Sequence, residues 1–279
     1  MNDPFWTSSY FIAKEIKERL QYPTFVGFNE FSSPTLPHAL SQAAQSSSDL
    51  VIVVTPMLTP GGGHPERDIP LAIEKIQQSY PNIEIRYAWP NNPEEIETSL
   101  MKSVALLSEQ VRSFSANSEG PVVLIQHGVP ISGYSNEKLQ TLIRECENQS
   151  ASCKTLQEEY LGLAQNNKYW SSSMKMGKMM SEVLQREVYV GFNEFAYPTA
   201  DMVLYEAALS YNKGPIDVVT SMLTQGGDHG EKDIPESLKR VSSKLGNTVK
   251  ESFTFAWPYP VEKVANFLID QIKSAHNED

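Results

Sequence analysis

Short apolar runs rich in β-branched residues recur along the chain, separated by segments long enough for helices. Positions 24–28, 50–55 and 83–87 form one set of runs; 121–126, 187–192, 216–220 and 251–255 form a second. A run without polar interruption, such as Leu50-Val51-Ile52-Val53-Val54, suits a strand buried on both faces of a parallel sheet. Positions 93–114 and 261–275 carry apolar residues three and four apart, as helices covering such a sheet do. Alternating strands and helices predict a doubly wound α/β architecture.

The runs belong to an internal repeat. Positions 25–35 read FVGFNEFSSPT and positions 189–199 read YVGFNEFAYPT, matching at eight of eleven places. Positions 53–70 (VVTPMLTPGGGHPERDIP) return at 218–235 (VVTSMLTQGGDHGEKDIP) with thirteen of eighteen identical. Trp6 and Trp89 return in order as Trp170 and Trp257. Two tandem doubly wound parallel-sheet domains from an internal duplication are therefore expected, at residues 1–117 and 118–279. The second copy opens with a further strand, PVVLIQ at 121–126, which runs into His127-Gly128. In the first copy Trp6 stands almost at the first residue, so the first domain is expected to lack its opening strand. Either that strand has been lost or the true start lies upstream of Met1.

Composition narrows the possible functions. Of 279 residues, 40% are hydrophobic and 20% charged, which describes a globular chain. No apolar run approaches the ~20 residues that span a bilayer, and the first residues do not read as a signal peptide. The formal net charge of −11, with no basic block to offset it, argues against nucleic acid as a partner. Two cysteines, Cys146 and Cys153, are too few for a disulfide framework and are not spaced as a zinc pair. A reducing cytoplasm is the expected compartment.

Three of the five histidines stand in suggestive places. His127 directly follows a strand, and ligands of open parallel sheets bind at the carboxyl ends of strands. His64 and His229 occupy matching loops after paired glycines, where the backbone can turn tightly. Asp68 and Asp233, each four residues on, read as N-caps of the following helix, with Pro70 and Pro235 in its first turn and Glu236 completing a capping box. Glu30 and Glu194 follow a strand in the repeated Gly-Phe-Asn-Glu-Phe and line the same sheet edge. A loop histidine is more often a surface residue than a ligand, and shared ancestry alone can preserve it in two copies. His38 and His276 have no such context. The tryptophans read as packing residues. No Gly-x-Ser-x-Gly elbow supports serine hydrolysis, and Gly61-Gly62-Gly63 has neither phosphate-loop nor dinucleotide-binding spacing around it.

A strand-end His-Gly, a strand-end Glu before a proline and a Gly-Gly-x-His-x-x-x-Asp-Ile-Pro loop together resemble the class II tetrapyrrole metal chelatases, of the sirohydrochlorin cobaltochelatase and ferrochelatase type. The resemblance covers most of the chain, and the glycine–histidine block is its most specific part. It implies two domains facing a tetrapyrrole cleft, a divalent metal ion (Co2+, Fe2+ or Ni2+) as substrate, and no further cofactor. By position it implies His127, His229 and Glu194 as catalytic and metal-binding residues, with His64 and Glu30 as an incomplete second set. The expected partners are a tetrapyrrole and the metal, with no nucleic acid and no membrane, in a monomer or homodimer. The chain departs from the family's pattern in the absent first strand, the long insertion between His127 and Trp170, and Val129-Pro130 where serine commonly follows His-Gly. A non-catalytic tetrapyrrole- or metal-binding protein and a protoporphyrin ferrochelatase are the alternatives. A polycarboxylate macrocycle calls for basic residues, for which Lys175, Lys178 and Arg186 are candidates.

Overall fold

The computed structural model describes residues 3–47, 49–116, 118–211, 213–246 and 253–276. The chain forms two compact units: Met1–Ile96 with Leu223–Gly227 and Tyr259–Asp279, and Glu97–Met222 with Asp228–Pro258. The closing helix of each repeat is therefore counted, wholly or mostly, in the other repeat's unit.

Unit 1 contains helices α1 (Pro4–Leu20), α2 (Leu36–Ser46) and α3 (Ile69–Ser79), strands β1 (Leu50–Val53) and β2 (Glu84–Tyr87), and α10 (Val261–His276). Asp3 caps α1 by accepting from the Phe5 and Trp6 amides, with Pro4 at the first turn. Its two strands pair in parallel, Leu50 opposite Glu84. Leu40, Ala44 and Ile76 form the core between sheet and helices.

Unit 2 takes most of α4 (Pro93–Phe114), then β3 (Val122–Gln126), α5 (Asn136–Glu147), α6 (Cys153–Ala164), α7 (Lys168–Leu184), β4 (Val188–Phe192), α8 (Ala200–Ser210), β5 (Ile216–Thr220), α9 (Ile234–Leu245) and β6 (Phe253–Phe255). Its strands are all parallel, in the order β4-β3-β5-β6. Successive side chains point to opposite faces. Val123, Ile125, Ile216 and Val218 thus meet α8 and α9 in one core, while Val190 points the other way and presses against Gly177 of α7. Val122 to Ile125 are fully buried, as uninterrupted apolar runs predict for a parallel sheet.

Two expectations need correction. Positions 24–28 do not form a strand; the segment makes only an isolated bridge, Phe28 to Thr35. Its counterpart β4 is a strand because β3 lies beside it. Among the described residues, nothing takes β3's place in unit 1. Cys146 and Cys153 are bonded to each other. The turn between α5 and α6 brings their Cα atoms to 4.7 Å, so a pair too few for a framework still closes one loop. The case for a reducing compartment loses that support. Of the last expected strand, Glu251 and Ser252 lie outside the described residues. No described helix is long and apolar enough to cross a membrane.

Candidate active site

Because β3, β4 and β5 run in parallel, their carboxyl ends share one edge of unit 2. Three side chains converge there. His127 follows β3, Glu194 follows β4, and His229 opens the π-helical turn that leads into α9. Their ligating atoms all lie within 4.8 Å of one another, the one such group of three among the described residues. The two imidazoles meet edge to face, with ring centroids 4.6 Å apart. One ion held at about 2.0–2.2 Å by every ligand needs donor atoms no more than ~4.4 Å apart, so small side-chain rotations close the set.

Each histidine is held through Nδ1. In His127 that atom stands 2.7 Å from the Gly128 carbonyl oxygen, so it carries the proton and donates. In His229, Nδ1 stands 2.7 Å from Asp233 Oδ2 and donates to that carboxylate. Asn193 Nδ2 lies 2.8 Å from the same Nδ1 and 3.3 Å from Asp233 Oδ2; with the ring proton on Nδ1, the amide donates to the carboxylate. Both Nε2 lone pairs are left to bind a cation or accept a proton. Glu194 Oε1 lies 3.5 Å from His229 Nδ1, on the same side of the ring as Asp233, and all three groups are half-buried.

The aspartates are therefore not caps. Asp68 and Asp233 have helical backbone angles and cap no amide. The π turn carries the chain straight into the next helix and places His and Asp, four apart, in contact. Such turns concentrate at functional sites.

The loop bearing Glu194 is braced from several sides. The Glu194 amide donates to the His127 carbonyl at 2.9 Å. Trp170 donates its indole N–H to the Tyr197 carbonyl at 2.9 Å, ahead of the cis Tyr197-Pro198 bond. The Tyr197 amide donates to the Tyr160 hydroxyl, which belongs to a small core built by the inserted helices α5 and α6. Phe195, in a left-handed backbone conformation, is 47% exposed with its ring 6.1 Å from that of His127. Sequence reasoning missed Asn193, Phe195 and the orienting role of Asp233. The signals were there: Asn and Phe flank Glu in both copies, and His precedes Asp by four in both.

Unit 1 repeats part of this arrangement. His64 Nδ1 lies 2.8 Å from Asp68 Oδ2, and Asn29 Nδ2 lies 2.5 Å from His64 Nδ1. Here Arg67 also bonds Asp68 at 2.8 Å and holds its carboxyl below the usual range, with His64 and Asn29 adding to that. Glu30 is exposed, and His64 and Glu30 join no group of three ligands among the described residues. Of the three basic candidates, Arg186 sits at the wrong end of the sheet. It bonds buried Asp217 at 2.6 Å and the Gly120 carbonyl, near the amino ends of the strands. Lys175 pairs with Glu97, and Lys178 is exposed on α7.

Residues 7–102 match the CbiX family model. Over 70 residues the chain is 36% identical to the sirohydrochlorin cobaltochelatase of Methanocaldococcus jannaschii, covering 25% of this chain and 48% of that protein. These two matches are to chelatase sequences, and each covers only part of the chain. The chain spans about half the length of the curated chelatase it matches. Among solved structures, SirB from Bacillus subtilis with Fe3+ superposes with a TM-score of 0.66 at 16% identity, covering 99% of this chain and 91% of that one. The sirohydrochlorin chelatase SirB from Bacillus subtilis subspecies spizizenii, in complex with cobalt, gives 0.57 at 16% identity, covering 98% and 91%. These two likenesses show a shared fold.

Proposed function

We propose that the chain inserts a divalent metal, Co2+ or Fe2+, into sirohydrochlorin or a closely related tetrapyrrole, with His127, Glu194 and His229 as the working site. The observation that carries this reading is the convergence of two imidazoles and one carboxylate at the strand ends of unit 2. The curated relative is a sirohydrochlorin cobaltochelatase, which supports the same substrate class.

Insertion exchanges two pyrrole N–H protons for one M2+ ion, and the ion must shed water as it enters the ring. Neutral imidazole suits cobalt, nickel and iron(II), and its ordinary pKa near neutrality also lets it take a proton. His127 and His229 present the metal through Nε2 and pass it to the ring nitrogens. As the ion leaves them, the freed imidazoles accept the departing pyrrole protons and release them to water, with Glu194 as the second acceptor. Asp233 keeps His229 in the tautomer this requires and stabilises the imidazolium that forms. No step consumes a nucleotide. Phe195 offers an exposed ring beside His127 against which a flat macrocycle can lie.

The test is His229→Ala, followed by absorbance as Co2+ enters sirohydrochlorin. A loss of insertion with the fold intact is expected. Undiminished turnover would reject the assignment.

A further inference from the structure

Unit 1 contains a groove of about 720 Å³ running along β1. One wall is β1 itself; the other is the extended segment with Thr24, Phe25 and Gly27, and α1 and α2 supply apolar surface through Ile16, Leu36 and Leu40. In unit 2 the corresponding walls are β5 and β4, which do not pair with each other because β3 lies between them, bonded to both. The segment at 24–28 is anchored as β4 is. A Cβ on Gly27 would lie 2.8 Å from Ala39 of α2, and one on Gly191 would lie 2.3 Å from Val203 of α8. Burial shows the difference. Every residue of β5 is buried, whereas every residue of β1 is only partly so. Phe25 is 38% exposed.

From this we infer that the groove is a strand-binding site, taking one extended apolar peptide parallel to β1, of the chemistry of Val122–Gln126. The occupant's nature follows from what fills the matching place in unit 2. That segment is apolar, fully buried and bonded through its backbone on both edges. Among the described residues β1 pairs only with β2, so its other edge, where the Leu50 carbonyl accepts from the Ser47 hydroxyl, offers further backbone donors and acceptors that an apolar small molecule cannot satisfy. Two parallel strands separated by one missing neighbour stand about 9–10 Å apart, the spacing one inserted strand fills. A peptide in the groove would pair with both walls at once. The inference concerns backbone pairing and is independent of the metal chemistry proposed for unit 2.

The experiment adds a synthetic peptide, Gly-Pro-Val-Val-Leu-Ile-Gln-His-Gly with lysines appended for solubility, to the full-length protein. Hydrogen exchange is then followed at the amides of β1, and the oligomeric state by sedimentation. At one hundred times the dissociation constant, the groove-facing β1 amides should exchange up to about 100-fold more slowly, on a monomer. A peptide carrying Leu124→Pro, which removes a donor from the middle of the strand, should give no protection. Equal protection by the proline peptide would reduce the groove to an apolar surface and overturn the inference. So would β1 amides already protected in the free protein and released on dilution, which would place a second copy there. Unchanged exchange at millimolar peptide would overturn it as well.

Discussion

Gly128 offers the sharpest test of how the site is built. Its φ is +101°, and a Cβ there would lie 1.8 Å from the Glu194 carbonyl oxygen. Real Cβ atoms essentially never come within 3.0 Å of such a neighbour, so Gly128→Ala must push the two loops apart by roughly 1.2 Å. The displaced loops are the ones carrying His127 and Glu194, tied at 2.9 Å by the Glu194 amide. A misplacement of about 1 Å at a reacting constellation costs on the order of 100-fold in rate, or ~2.7 kcal/mol of transition-state stabilisation. The left-handed backbone adds about 1–3 kcal/mol of lost stability. Metal insertion followed by absorbance, together with thermal unfolding, separates the two effects. Gly162→Ala is the control: a Cβ there meets nothing within 4 Å, and inside α6 it should stabilise by about 0.5–1 kcal/mol without changing the rate. A folded Gly128→Ala protein that inserts metal at the unaltered rate would refute the reasoning.

Other outcomes follow from the same contacts. Asp233→Asn replaces the charged acceptor that fixes the His229 tautomer with a neutral amide whose NH2 can donate to Nδ1 instead, so Co2+ affinity measured by calorimetry should fall about 10- to 100-fold; Asp68→Asn in unit 1 should leave insertion unchanged. Cys146→Ser opens a short loop and should cost about 2–3 kcal/mol in denaturant unfolding, with insertion retained. Burial pushes the Tyr160 hydroxyl up to about 12. Its contribution is complete below the unfolded value of about 10 and disappears as pH rises towards 12, so stability should decline across that window. Tyr160→Phe should flatten that decline in alkaline melts.

The sequence made some of this legible and concealed the rest for identifiable reasons. β3, β4 and β5 can be read from apolar runs because each has its neighbours in the same copy. Positions 24–28 carry the same apolar pattern without becoming a strand, because pairing depends on a partner that the local pattern does not encode. Asp68 and Asp233 precede Ile-Pro as a cap would, and the pattern of a cap and the pattern of a π turn coincide there. Only the histidine four residues earlier separates them, and its significance needs the turn's geometry. Arg186 was legible as basic, but not as the partner of Asp217, 31 positions away in the chain. The convergence of His127, Glu194 and His229 was reachable because strand-end residues in a parallel sheet share an edge whatever their separation in sequence.

The placement of α10 bears on how this protein can be cut. Arg86 of β2 donates to the Ala275 carbonyl, and Arg19 of α1 reaches Asn266, so the last helix of the second repeat is stitched to the elements of the first. Val264, Leu268 and Ile269 on α10 and Ile12 and Ile16 on α1 are all buried. A gene truncated between the repeats would still encode both unit 1 strands yet leave their covering layer behind. Its product would be expected to clump, and two half-length polypeptides would have to be made together, like the two parts of a clasp, before either became useful.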